Sequence, residues 1–348
     1  MTPAPFTLVL SGGGMKGLAH IGVLQALESR GLVPSLIVGS SIGSLIAAAW
    51  AAGVPLAEMT RRARLVRRRH VFQVAGADMA FRRLMAPSVY RKEPLEALIR
   101  SLVGERTFQQ LEHPLLVNTV DLNSGNQVLW GLPGLEDVSV ADAVFASCAL
   151  PGIFPPRAIR GRAYVDGAVT DNLPVRLVAA VGHGPVVAVN VAATSVQRAD
   201  VEQQGFAATY IRGLEMVMQT QIKGYLRGWQ GPPILLIQPP VEHVPMFAFD
   251  RTDELITAGR EATIAALDAL PAELHLIGAG IHPRRVVRIT LDEARCVGCG
   301  SCAIALPAMF RMERTGKASV ITPLTDWSPM DDDSHLHCPT RAIRVEAA

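Results

Sequence analysis

Short apolar runs alternate with stretches of helical periodicity along most of the chain. Residues 6–11, mostly apolar, read as a buried strand, and 15–29 as the helix that follows it. A second strand is expected at 36–38, with a helix over 42–52. Further strands are expected at 115–120, 128–130, 186–191 and 234–238, the last closed by Pro239 and Pro240, before a helix over 253–269. Alternation of this kind predicts an α/β fold with a mainly parallel central sheet. The rhythm breaks at Gly278-Ala279-Gly280 and His282-Pro283, after which 285–291 begins a shorter, cysteine-rich stretch. The expectation is two units, residues 1–280 and residues 281–348.

Composition agrees with that division. At roughly 150 residues per domain, 348 residues allow about two. With 49% apolar and 18% charged residues, the chain can bury a large core. Lys and Arg total 33 against 31 Asp and Glu, a balance unlike that of a nucleic-acid-binding domain, and 5% aromatics leave little for base stacking. No charged residue occurs from 32 to 56, a length that would span a bilayer. Pro34 and Pro55 punctuate that stretch and Gly39, Ser40, Ser41 and Gly43 interrupt it, so a buried strand followed by a buried helix accounts for it better. Met1-Thr2-Pro3-Ala4-Pro5-Phe6 lacks the basic start of a signal peptide, and a cytoplasmic protein without a transmembrane helix is expected.

Charge is nevertheless uneven. Arg61, Arg62, Arg64, Arg67, Arg68 and Arg69 crowd one expected helix, with Met59, Ala63 and Val66 as its narrow apolar stripe. The face is either simply solvated or a peripheral contact for an anionic membrane.

Two motifs in the first unit carry chemistry. Ser11-Gly12-Gly13-Gly14-Met15-Lys16-Gly17 lies between a strand and a helix, where glycines admit a close ligand and exposed amides attract negative charge. It matches the dinucleotide pattern, but that reading needs an acid at the end of the second strand. Gly39-Ser40-Ser41-Ile42-Gly43 stands there instead, a strand-to-helix elbow that presents Ser41 as a nucleophile, with the amides of Gly13 and Gly14 as oxyanion donors. The base would be Asp166, in Tyr164-Val165-Asp166-Gly167-Ala168; an ordinary Asp-Gly turn is the plainer reading of that segment. A Ser–Asp–His triad is the competing chemistry, with His183, His243 and His275 downstream. His20, near the glycine loop, has no distinctive spacing, and Cys148 reads as a small buried hydrophobe.

The other four of the five cysteines gather in the tail. Cys296-Val297-Gly298-Cys299-Gly300-Ser301-Cys302 places three thiolates on one tight loop, and Cys338-Pro339 offers a remote fourth. Zinc is the alternative, although its usual signature is two separated C-x-x-C pairs. The set favours an iron–sulfur centre.

Taken together, the three glycine, serine and aspartate blocks resemble those of bacterial patatin-like phospholipases. The stretch from Ala146-Ser147-Cys148 to Pro155-Pro156 and Asp171-Asn172-Leu173-Pro174-Val175 resemble that family as well. The resemblance implies a three-layer α/β/α domain, a Ser41–Asp166 dyad without histidine, and an oxyanion hole from Gly12 to Gly14. It also implies supporting roles for Lys16, Gly17, Gly39, Gly43, Gly167 and Ala168, the last where many members carry Gly. The tail resembles single-cluster bacterial ferredoxins: a C-x2-C-x2-C run, a remote Cys-Pro, a hairpin over 310–321 turning at Thr315-Gly316, and a closing strand from Ala342. Leu306-Pro307 occupies the place of a second cluster's cysteine. That resemblance implies a small α+β domain holding one 4Fe-4S cluster on Cys296, Cys299, Cys302 and Cys338. The combined expectation is a serine acyl hydrolase acting on phospholipid or other acyl-ester lipids, fused to a ferredoxin domain for electron transfer to a partner protein or for redox regulation. An electron-transfer protein whose patatin-like part only binds lipid is the alternative.

Overall fold

A computed structural model describes residues 5–74, 88–182, 184–192, 205–331 and 338–348. The strands are β1 (Thr7–Leu10), β2 (Leu36–Ser40), β3 (Leu115–Asp121), β4 (Gln127–Trp130), β5 (Arg157–Ile159), β6 (Arg162–Asp166), β7 (Val186–Val189), β8 (Ile234–Ile237) and β9 (Ile281–His282). They form one nine-stranded sheet in the order β5-β6-β3-β2-β1-β7-β8-β9, with β4 paired to β3. From β3 to β9 along that order the pairings are parallel; β4, β5 and β6 form an antiparallel margin.

The apolar runs are continuous because both faces are covered. Leu8, Leu10, Ile37, Leu115, Val187 and Leu235 enter one core, while the intervening Val9, Val38, Leu116, Ala188 and Leu236 enter the other. The first core is closed by α1 (Ala19–Ser29), α2 (Ile42–Ala51), α3 (Leu56–Leu65), α4 (Glu93–Val103), α5 (Val140–Cys148) and, after α6 (Val175–Val181) and α7 (Phe206–Leu226), by α8 (Thr252–Asp268). Residues of α6 and α7 close the second. The three-layer arrangement expected from the sequence is thus present. No described helix is long and apolar enough to cross a membrane.

Two expectations are corrected. The helix expected from Met15 begins at Ala19, because Gly14–Leu18 winds as a tighter 3-10 turn. The arginines do not share one helix: α3 stops at Leu65, Val66 is extended, and Arg68–His70 forms a separate turn. The Arg67 guanidinium donates to the carbonyls of Arg64 and Val66, occupying acceptors that a continuing helix would have filled.

A smaller unit follows. Here β10 (Arg285–Leu291) lies between β13 (Leu324–Trp327) and β14 (Ile343–Ala347), and β11 (Phe310–Met312) pairs with β12 (Ala318–Val320) as the expected hairpin. The short helix α9 (Ser301–Ala305) precedes it. Val287, Ile289, Phe310, Trp327 and Ile343 make its core. Ile281 and His282 still belong to the large sheet, so the chain leaves that sheet two residues beyond the expected junction.

Candidate active site and cysteine cluster

Parallel pairing of β1 with β2, Leu10 opposite Gly39, brings the glycine loop and the serine elbow to the same sheet end. Ser41 sits at φ 53° and ψ −130°, a conformation costly for a side-chain-bearing residue. It is held there from several sides. The Ser41 amide donates to Ser147 Oγ (2.9 Å), whose hydroxyl donates to the Asn118 carbonyl (2.7 Å). The Ser41 carbonyl accepts from the amide (2.9 Å) and the hydroxyl (2.6 Å) of Ser44. A Cβ on Gly43 would lie 2.4 Å from the Leu10 carbonyl oxygen, and one on Gly39 2.4 Å from the Ser44 backbone. Both glycines of the elbow are therefore required by close backbone approach.

Asp166 ends β6, opposite Thr119 of β3. It is buried, and its Oδ1 accepts the Ala168 amide at 2.9 Å. Burial pushes its carboxyl up to about 7, against the opposing pull of the Ala168 amide and of the Ser41 hydroxyl that faces it. Gly167 lies against Asn118, where a Cβ would meet the amide nitrogen at 2.4 Å.

The expected oxyanion loop divides. The Gly12 amide donates to Asn172 Oδ1 at 2.8 Å, which takes it out of the oxyanion hole expected across Gly12 to Gly14. The amides of Gly13 and Gly14 have no acceptor among the described residues. Gly14, at φ 59°, packs so closely on Met246 that a Cβ would lie 2.4 Å from its carbonyl oxygen, and that oxygen accepts the Met15 amide at 2.7 Å. Gly17 makes room for Ile42. Lys16 is fully buried, with its Nζ 3.6 Å from Glu215 of α7.

Ser41, Asp166 and Gly14 line an apolar cavity of about 150 Å³ whose walls also include residues of α1, α2 and α3 and the rings of Phe72, Phe247 and Phe249. Cys148 lines it too, its thiol pushed up by burial. No described histidine lines the cavity. His20 is buried, bonds the Ser11 carbonyl at 2.9 Å, and is held down at about 4 by that burial. His243 pairs with Glu254 and His275 with Glu273, both at the surface; His183 lies outside the described residues.

Asn118, Ser147 and Asn172 were not singled out for these roles from the sequence. Asn118 gave a signal, a polar residue inside the apolar run of β3, because a buried amide must find partners. It donates to the Asp171 carbonyl (2.7 Å) and to Ser40 Oγ (3.2 Å), and accepts from Gln127 (2.8 Å).

In the small unit, Cys296 is buried, Cys302 and Cys338 are half-buried and Cys299 is exposed, all as free thiols. They lie within electrostatic reach of one another: Cys338 acts on Cys299, and Cys296 and Cys299 act on Cys302. Hydrogen bonding to Ser301 holds Cys299 low; burial pushes Cys338 up, but bonds from Thr340 and the Ala342 amide outweigh it. Gly298, at φ 73°, would place a Cβ 2.1 Å from the Gly316 carbonyl oxygen, so the loop closes only on glycine. Among the described residues no group of three His, Cys, Asp or Glu is drawn together as a site for a single metal ion. Four thiols of mixed exposure, with the Ala342 amide donating to Cys338 Sγ (3.2 Å), fit a larger sulfide-bridged cluster.

Known proteins align with both units. Residues 8–179 match the family model for patatin-like phospholipase, and residues 289–345 match that for a 4Fe-4S single cluster domain. An uncharacterised NTE family protein of Mycobacterium tuberculosis is 27% identical over 283 residues, covering 76% of this chain and 46% of its own. The lysophospholipase NTE1 of Mycosarcoma maydis is 25% identical over 297 residues, covering 76% of this chain and 15% of its own. The chain thus spans less than half the length of these curated relatives. Among solved structures, VipD from Legionella pneumophila aligns with a TM-score of 0.41 and 16% identity, over 77% of this chain and 67% of that one.

Proposed function

From a chain that carries a patatin-like phospholipase domain and a 4Fe-4S single cluster domain, we propose a serine hydrolase of lipid acyl esters, of phospholipase or lysophospholipase type, with Ser41 as nucleophile and Asp166 as base. The supporting observation is one apolar cavity lined by Ser41 and by a buried carboxylate, beside two amides without acceptors. Asp166 takes the proton from Ser41 Oγ as that oxygen attacks the ester carbonyl carbon. The carbonyl oxygen becomes an oxyanion that accepts from the Gly13 and Gly14 amides. When the intermediate collapses, the C–O bond to the alcohol breaks and Asp166 returns the proton to the leaving oxygen. Water then gives its proton to Asp166 and attacks the acyl-enzyme; Ser41 leaves reprotonated and the fatty acid is released. A pre-formed oxyanion site of this kind contributes about 3–4 kcal/mol per donor to such reactions.

Cys296, Cys299, Cys302 and Cys338 would hold one 4Fe-4S cluster, which when bound supplies one-electron chemistry. The two roles divide where the chain leaves the large sheet after His282.

Ser41→Ala and Asp166→Asn are expected to abolish hydrolysis of long-chain acyl esters while leaving circular dichroism and chromatographic behaviour unchanged. Retention of turnover by either folded variant overturns the dyad.

A further inference from the structure

The three glycines of the proposed oxyanion loop have no side chains, so whatever fixes the direction of the Gly13 and Gly14 amides must come from their neighbours. On the amino side the Gly12 amide is bound by Asn172 (2.8 Å). On the carboxyl side the Met15 amide donates to the Met246 carbonyl (2.7 Å). Lys16 follows, inside the tight turn Gly14–Leu18, and is 1% exposed. Gly14 and Met15 line the apolar cavity but Lys16 does not; its side chain runs instead to α7, where Nζ lies 3.6 Å from Glu215 Oε1. Glu215 is nearly as buried, and its second oxygen accepts from the Arg212 guanidinium (3.1 Å). The carboxylate is thus oriented at both oxygens, one by the helix's own arginine and one by the loop.

The helix that carries this carboxylate is itself held in place. Ile222 and Leu226 of α7 belong to the second core, and Tyr225 Oη donates to Asp171 Oδ1 (2.6 Å) in the segment that follows the proposed base. Asp171 in turn is tied through its carbonyl to Asn118 (2.7 Å). Glu215 and Tyr225 are separated by about 15 Å along the helix. One helix therefore meets the turn behind the oxyanion donors at one point and the loop after Asp166 at another. A buried ammonium that left its carboxylate would be stranded away from water, so the pair acts as a tether and not as a contact exchanged for solvent. All of α7 lies outside the residues that match the patatin-like family model, which end at 179.

We propose that Glu215 is a positioning residue for the oxyanion loop: through Lys16 it fixes the turn that aims the Gly13 and Gly14 amides. The reaction it serves rests on the hydrolase reading; the hold on the loop does not. The test uses the full-length protein with Glu215→Gln, Lys16→Met and the two combined. It reads ester kinetics per folded molecule and amide hydrogen exchange across residues 12–17. Each single variant is expected to lose about tenfold or more in kcat with KM within about twofold, because misdirected donors weaken the transition state alone. Exchange across 12–17 is expected to quicken about tenfold, with β1 and β2 unchanged. The double variant is expected to be no slower than Lys16→Met, since Glu215 acts through Lys16. Native kcat in Glu215→Gln, a loss of kcat without faster exchange in the loop, or additive losses in the double variant each overturn the proposal. Where a single variant fails to fold, Lys16→Met/Glu215→Leu decides, since an apolar pair in place of a buried ion pair preserves folding. It is expected to stay slow with a loosened loop; native kcat and native exchange there mean that the pair serves packing only and overturn the positioning role. If the native protein hydrolyses no ester, exchange decides alone: faster exchange across 12–17 in the folded variants upholds the tether while the hydrolase reading falls, and unchanged exchange overturns the tether as well.

Discussion

Burial favours Asp166 as an acid, whereas the proposed reaction needs it as a base, and those demands oppose each other. Burial raises its carboxyl from 3.8 to about 7, so the folded protein binds a proton that the unfolded chain releases near pH 4. Between those values stability falls as pH rises, and above about 7 the full cost is present. For a shift of this size it is on the order of a few kcal/mol. The proposed catalysis runs the other way, since in it only the ionised carboxylate accepts the Ser41 proton. Ester turnover is therefore expected to rise with pH through about 7, while Asp166→Asn, though inactive, is more stable than the native chain at pH 8 and gains little at pH 4. His20, held near 4 by burial, changes stability in the opposite sense, so urea midpoints must be compared variant against native at each pH. An Asn variant less stable than native at pH 8 contradicts the assignment of buried strain to Asp166.

At the scale of elements, the site is a meeting of three segments fixed by polar residues that point inward. Asn172 links the loop after Asp166 to the glycine loop through its bond to the Gly12 amide, across 160 residues of sequence. Asn172→Ala leaves that amide buried without an acceptor, at an expected cost of about 1–3 kcal/mol in stability. Because the neighbouring Gly13 and Gly14 amides then lose their fixed direction, kcat is expected to fall with KM nearly unchanged; a fall confined to KM argues against a role in the loop. Such links mark where the sequence stops being legible. The alternation of apolar runs locates β1, β2, β3, β7 and β8, and the small-residue motifs locate Ser41 and Asp166, because tight turns and close backbone contacts restrict which residues are allowed. Ser147 and Asn172 are silent, since nothing local distinguishes a polar side chain that bonds a distant segment from one that faces water; only Asn118, set inside an apolar run, gives a hint. The long α7 is missed for a related reason: among its described apolar residues only Met218, Ile222 and Leu226 are buried, the polar Glu215 and Gln219 are buried beside them, and Met216 and Val217 are exposed, which blurs the period. The six arginines look like one helix in sequence, yet Arg67 ends it by bonding the carbonyls behind it.

For the whole molecule, the two units differ most in what holds them. The large unit buries both faces of a nine-stranded sheet under helices. The small one has a core of five fully buried side chains, with Cys296, Ala318 and Ala342 as a satellite group against which Cys302 and Cys338 pack. A core of that size supplies little stability alone, and the free energy of binding a cluster through thiolates adds directly to that of folding. On the proposed cluster reading the cysteines are therefore structural as well as chemical. Iron and acid-labile sulfide of about four each per chain are expected, with broad visible absorbance. Removing them with a chelator under reducing conditions is expected to split the thermal transition. The small unit melts first, seen as lost near-ultraviolet signal from Trp327, while Trp130 in the large unit and ester turnover persist to a higher temperature. Met330 packs against the large unit's second core, so a modest lowering of the upper transition is also expected when the small unit unfolds. Stoichiometric zinc without sulfide, or a chelated protein whose two units still melt together at the native temperature, means that the small unit does not depend on an iron–sulfur cluster for its fold.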